Sequence, residues 1–257
     1  HGTELTLADG SHLPVLARNP VGYRRLVSAI SQHNLDAGHR QEPAHDLTAL
    51  ASALRSDPTD QTEAASGSCL VLTGTANGPL RRALGDPRRP DTWDLKAADA
   101  CLGHLTELFA APDRGRPLDA GPTTTAHRQV EGDAAIGLAV ELTLDGGPTD
   151  AALTDALTRL AHTHRLPLVA TGAVRCARPI DARLADVLTS TRLVTDLEGA
   201  RGHLPAIGRW LRGAQDMALL HRRCPDAVDL AAELASDLAF DLSLIAPDLP
   251  DADVPEG

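Results

Sequence analysis

Residues 135–172 read "AIGLAVELTLDGGPTDAALTDALTRLAHTHRLPLVATG". The stretch opens on a run of mostly apolar residues, "AIGLAVELTL", which predicts a buried strand. Gly146-Gly147-Pro148 breaks that run. Behind the break, Leu153, Ala156, Leu157, Leu160 and Ala161 recur at helical spacing and make one apolar stripe. A second apolar run, "LPLVATG", follows at once. Strand, helix, strand with both strands apolar on each face is the pattern of parallel strands covered by helices. A (β/α) barrel and a doubly wound sheet both satisfy it.

The same alternation extends outward in both directions. "GTELTLA" and "HLPVLA" are two short apolar runs around Asp9-Gly10, which predicts two strands joined by a tight turn. "NPVGYRRLVSAISQHNL" follows with Tyr23, Leu26, Val27 and Ile30 at helical spacing. "SCLVLTG" predicts another buried strand. "PLRRALG" predicts a short helix, with Pro79 in its first turn and Gly85 at its end. "WDLKAADACLGHLTELFA" is a longer helix. After residue 172, "DARLADVLTS" and "DAVDLAAELASDLAF" predict two more helices, the latter with acids in its first turn where the helix dipole favours them. Residues 112–133, rich in Pro, Gly and Thr, predict a long surface loop. "APDLPDADVPEG" reads as an extended linker. No repeat of solenoid period is present.

Composition limits the function classes. The chain has 257 residues, 42% of them hydrophobic and only 2% aromatic, so the core must be built from Ala, Leu and Val. A formal net charge of −11 argues against a chain that grips nucleic acid with its own surface, because that needs clustered Lys and Arg. There is no apolar run of about 18 residues to span a membrane and no export-signal pattern at the start. Cys69, Cys101, Cys176 and Cys224 form no C-x-x-C pair, which fits reduced thiols in a cytoplasmic protein. Because the chain opens on His1 and enters a strand within its first residues, it reads as part of something longer.

Several phrases follow one another in a family order: "GTELTL", "HLPVLARNPVGYRRLVSAIS", "LVLTGTANGPLRRAL", "VELT", "LPLVATGAV", "LRGAQDMALL" and "LAFDLSLIAPDLP". Together they resemble the PHP domains of bacterial C-family DNA polymerases, closest to the error-prone branch of the DNA polymerase III alpha subunits. The resemblance covers almost the whole chain and is weakest at 110–135. It implies an α/β fold of the PHP type, a distorted (β/α)7 barrel whose first strand-helix units would precede His1. In that division residues 1–245 are a partial barrel and 246–257 a linker toward a polymerase core outside this chain. The resemblance also implies DNA replication and repair as the setting, with synthesis carried out elsewhere in the parent chain with Mg²⁺. DNA would then be met through the parent polymerase, and the remainder of that polymerase would be the partner.

A PHP site gathers His, Asp, Glu and Cys because clustered metals need several anionic or imidazole donors. The resemblance places two ligands on Glu4 and His12, both retained. The cysteine of the family's S-G-C falls on Thr75. The Asp and His of its T-N-D-V-H-Y fall on Ala173 and Arg175. Alanine offers no donor, and arginine brings a permanent positive charge that repels a divalent cation. Two remaining donors are too few for a tight cluster, although they leave room for a residual divalent metal. The expectation is a vestigial site in which Arg175 neutralises Glu4, and no catalytic residue is assigned.

Other candidates carry less. His162-x-His164 sits at a helix end, where residues two apart do not share a face. "GDPRRP" and "HRRC" are short basic clusters in an acidic chain. "LTGTANG" follows a strand but lacks the lysine and spacing of a phosphate loop. Two function classes remain. The first is a structural and interaction module of an error-prone polymerase. The second is a metal-dependent phosphoesterase or 3′→5′ exonuclease, which would need metals to generate hydroxide and stabilise the transition state.

Overall fold

The computed structural model describes residues 1–37, 44–55, 67–110, 137–201, 204 and 208–241. The whole of the loop expected at 112–133 and the whole of the linker at 246–257 lie outside the described residues. Five strands form one sheet in the order β1-β2-β3-β4-β5: Gly2–Thr6, His12–Ala17, Cys69–Leu72, Gly137–Thr143 and Leu168–Thr171.

The expected tight turn joins β1 to β2. Gly10 takes φ 75°, and the Asp9 carboxylate accepts hydrogen bonds from the Ser11 backbone N–H (2.8 Å) and hydroxyl (2.6 Å). So short a connection forces antiparallel pairing, with Glu4 opposite Pro14 and Thr6 opposite His12. β2 also pairs antiparallel with β3, whereas β3, β4 and β5 run parallel. The expectation of parallel neighbours therefore holds for β3, β4 and β5 only. The residues between β2 and β3 carry the chain back to the end of the sheet it left, so β3 enters against β2.

Eight α-helices are described: α1 Pro20–Ala37, α2 Leu47–Leu54, α3 Pro79–Leu84, α4 Leu95–Phe109, α5 Asp150–Thr163, α6 Ala182–Arg192, α7 Ala214–Leu220 and α8 Pro225–Asp237. The caps follow sequence logic. Asp94 accepts from Ala97 N–H at the start of α4, and Asp46 from Ala49 N–H at the start of α2. Pro79 opens α3, and Gly85, at φ 112°, closes it.

Side-chain alternation divides the sheet into two faces. Leu13, Val15, Cys69, Val71 and Leu138 pack with α1, α2 and α4 through Leu26, Leu50, Leu54, Leu105 and Phe109. Val140 and Leu142, on the same face of β4, pack with α3, α4 and the stripe of α5, whose five expected core residues are all buried. The opposite face carries Leu70, Leu72, Ala139 and Val169 against Leu234 of α8. The result is a mixed α/β fold with helices on both faces of an open sheet. Closure into a (β/α)7 barrel is not seen among the described residues, where β1 and β5 are the two edges.

Candidate functional site

Register places the candidate residues at one end of the sheet. β1, β3, β4 and β5 share one direction, so their C-terminal ends lie together, beside the start of β2. Ligand sites of α/β folds gather at that end. Glu4 and His12 project from the face that also carries Leu72, Ala139 and Val169. Their side chains meet, with His12 Nδ1 at 3.5 Å from Glu4 Oε1 and both about one-third exposed.

The remaining expected positions are turns just beyond the strands. Thr75 is half-buried in the turn after β3, and its carbonyl accepts from Gly78 N–H at 2.8 Å. The glycines of "LTGTANG" are explained by close packing. A Cβ on Gly74 would lie 2.6 Å from both Gly78 Cα and the His12 carbonyl oxygen, and Gly74 itself has φ 84°. Ala173 sits in the left-handed region at φ 41°, where a side chain costs energy and glycine, asparagine or aspartate is favoured. Arg175 is exposed, and its backbone N–H donates to the Arg209 carbonyl at 2.7 Å. The expected Arg175–Glu4 pair is not formed. The ion-pair partner of Glu4 among the described residues is His12.

Three buried charges that sequence reasoning missed lie at this end. Glu141 is in β4 on the face of Glu4, and only 4% of it is exposed. Its Oε1 accepts from the Thr171 hydroxyl at 2.5 Å. Thr171 has one proton to give, so the 2.9 Å contact between the Thr143 and Thr171 hydroxyls makes Thr143 the donor there while Glu141 is ionised. The other carboxylate oxygen, Oε2, is buried without a hydrogen-bond partner. Burial pushes the Glu141 carboxyl above its usual range. Glu4 pushes the same way, while the Thr171 hydrogen bond and the Arg209 and Arg81 charges offset part of the rise.

Arg81 of α3 is the first buried cation, and burial pulls its pKa down to about 10, partly offset by Asp145. Arg209 is the second, and it makes a forked contact to Asp145 just past β4, at 3.1 and 3.5 Å. Only 11% of its side chain is exposed. One signal of this cluster was legible, a lone acid inside the apolar run "GLAVELT". Arg209 gave none, and Arg81, beside Arg82 on a short helix, reads as an ordinary helix arginine.

Among the described residues, no three His, Cys, Asp or Glu side chains come together in a way that would hold an ion. Glu4 and His12 form a two-donor pair. The third possible donor on that face, Glu141, is buried, hydrogen-bonded by Thr171 and set in the field of two arginines. The lesser candidates are also accounted for. His164 bridges α5 to Asp99 of α4 at 2.9 Å, His162 is exposed, and Arg223 of "HRRC" pairs with Asp155 at 2.7 Å. The four cysteines are free thiols, and no described helix is long and apolar enough to cross a membrane.

No protein-family model matches the chain. Curated relatives do. An error-prone DNA polymerase of Mycobacterium tuberculosis is 36% identical over 258 aligned residues, which cover 99% of this chain and 20% of the relative. That of Nocardia farcinica is 37% identical over 249 residues, covering 96% of this chain and 19% of the relative. That of Cutibacterium acnes is 34% identical over 251 residues, covering 96% and 18%. The chain thus spans about a fifth of the length of the relatives it matches. By sequence it is homologous, along nearly its whole length, to one segment of the bacterial error-prone DNA polymerases.

Proposed function

We propose that this segment is a PHP-type domain with a decayed metal site, and that it serves an error-prone DNA polymerase as a structural and interaction module. The supporting observation is the chemistry at the strand ends. Glu4 and His12, the two retained donors, engage each other, while Thr75, Ala173 and Arg175 supply no strong ligand. Next to them a buried electrostatic cluster, Glu141 with Arg81, Arg209 and Asp145, occupies the sheet end with the protein's own charges. A site arranged in this way holds the sheet end together and activates no water.

The PHP part of the reading rests on the motif resemblance. In it, the open sheet corresponds to part of a (β/α)7 barrel. Template-directed DNA synthesis belongs to other parts of the polymerase, with Mg²⁺ there, in the cytoplasm. DNA is contacted by those parts rather than by this acidic surface.

The test is elemental analysis for Zn, Mn and Fe on the full-length polymerase carrying this segment, as wild type and as Glu4→Gln with His12→Ala. The expected result is the same metal content in both. Two or three metals per chain in the wild type, lost in the variant, would overturn the reading in favour of the phosphoesterase or exonuclease class. Sequencing the reading frame on both sides of the segment tests the polymerase half of the proposal directly.

A further inference from the structure

Helix α6, "ARLADVLTSTR", has its faces reversed relative to the other amphipathic helices of the fold. In α4 and α5 the large aliphatic residues point into the core, apart from Leu95 in the first turn of α4. In α6 they point out. Leu184 and Leu188 are each 60% exposed and Val187 48%, and Ile180 in the preceding turn is 68% exposed. These positions fall at i, i+4, i+7 and i+8, one continuous stripe along the helix. The opposite side is built from small and polar residues, and Ser190 is the only residue of α6 that is buried.

The inward side chains satisfy themselves locally. The Ser190 and Thr189 hydroxyls donate to the Asp186 and Ala185 carbonyls one turn back. Among the described elements, α6 packs chiefly against the turn Pro179–Asp181 that leads into it. Of the twelve large hydrophobic residues exposed among the described residues, seven lie between Val174 and Leu197. Single exposed aliphatics are ordinary on a protein surface, but a concentrated stripe of them marks a contact site.

We infer that the outward stripe of α6 is the surface on which the remainder of the polymerase chain packs. The inference rests on the module reading above and names the surface through which the module would act. Two observations select this occupant. First, the matched relatives are about five times as long as this chain, so most of such a polymerase lies outside the described residues. Second, the stripe is small. Four aliphatic side chains fall well short of the roughly 800 Å² per partner of a stable association between separate chains. They suit a contact within one chain, where domain interfaces start at about 600 Å² in total and the covalent link supplies an effective concentration in the mM range.

The experiment uses the full-length polymerase that carries this segment. Single cysteines are introduced by Leu184→Cys and Leu188→Cys, with Glu107→Cys on the exposed side of α4 as reference. Maleimide labelling of the native protein is followed at each site by mass spectrometry. The expected result is labelling at Leu184→Cys and Leu188→Cys slower than the reference by about tenfold or more, as for sites that react only through local opening. Labelling as fast as the reference would overturn the inference. So would protection that disappears on dilution while sedimentation shows a dimer dissociating, because the occupant would then be a second copy. If the flanking reading frame holds no polymerase core, the module reading itself fails. If the core is present and the stripe labels freely, only the surface assignment fails.

Discussion

Thr171→Val is the perturbation that most directly tests the buried cluster. Valine keeps the shape of threonine and removes one hydroxyl. That hydroxyl donates to Glu141 Oε1 at 2.5 Å, and the other carboxylate oxygen has no hydrogen-bond partner. While Glu141 is ionised, the substitution removes the only hydrogen bond that the described residues give to this buried charge, which costs about 1.5–3 kcal/mol. When the carboxyl is protonated, the same change removes a bond between neutral groups, worth about 1 kcal/mol. Thr143 loses its acceptor in either case.

The pH dependence has a definite sign. Burial raises the folded-state pKa of Glu141 above the ordinary carboxyl value. Such a group contributes its full stability below the unfolded pKa of about 4.3, and that stability is lost as pH rises through the folded value. Glu141→Gln removes the titration, so its stability relative to the parent should improve as pH rises from about 4.3 through the folded value. Thr171→Val should cost most at the alkaline end in the Glu141 parent. In the Glu141→Gln background it should cost about 1 kcal/mol at every pH. The assay is a double-mutant cycle by urea denaturation of the 257-residue chain at acid and at mildly alkaline pH. A coupling energy of zero, or one that ignores pH, would refute the reasoning and place the carboxylate in solvent.

Two further outcomes follow from the same structure. Arg209→Met should destabilise the chain by about 2 kcal/mol, below the roughly 3–5 of a fully buried pair, because Asp145 keeps a third of its side chain exposed; thermal melts with Asp145→Asn as the second arm would show the loss to be shared. His45 is 7% exposed, stacks on His33 with ring centroids 4.1 Å apart, and has its pKa lowered by burial and then by His33. A lowered histidine gives stability above about pH 6.5 that is lost as pH falls through the folded value, so mild acid should loosen the contact between Leu7 and the segment leading into α2. Hydrogen exchange at Ala8, whose N–H is held by the His45 carbonyl, reports this, and His45→Phe should abolish the acid sensitivity.

The periodicity of residues 135–172 was sufficient by itself to predict β4, α5 and β5. An apolar strand and a one-faced helix follow from spacing alone, and the stripe of α5 is buried as its sequence requires. The turn at Asp9-Gly10 likewise dictated an antiparallel hairpin, because its chemistry is complete within a few residues. Glu4 and His12 were legible as candidates, and their proximity follows from that hairpin's register.

What the sequence did not contain is which residues from distant segments share one end of the sheet. Glu141, Arg81 and Arg209 come from a strand, a short helix and a loop, and their mutual charge effects exist only once β3 and β4 lie side by side. Arg175 was expected to neutralise Glu4, yet the turn carries its side chain into solvent, and other arginines supply the buried positive charge. α6 shows the same limit from the other side. Its pattern predicts an amphipathic helix, but a periodicity fixes only that two faces differ. Which face turns inward depends on what lies beside the helix, and that is decided by tertiary packing.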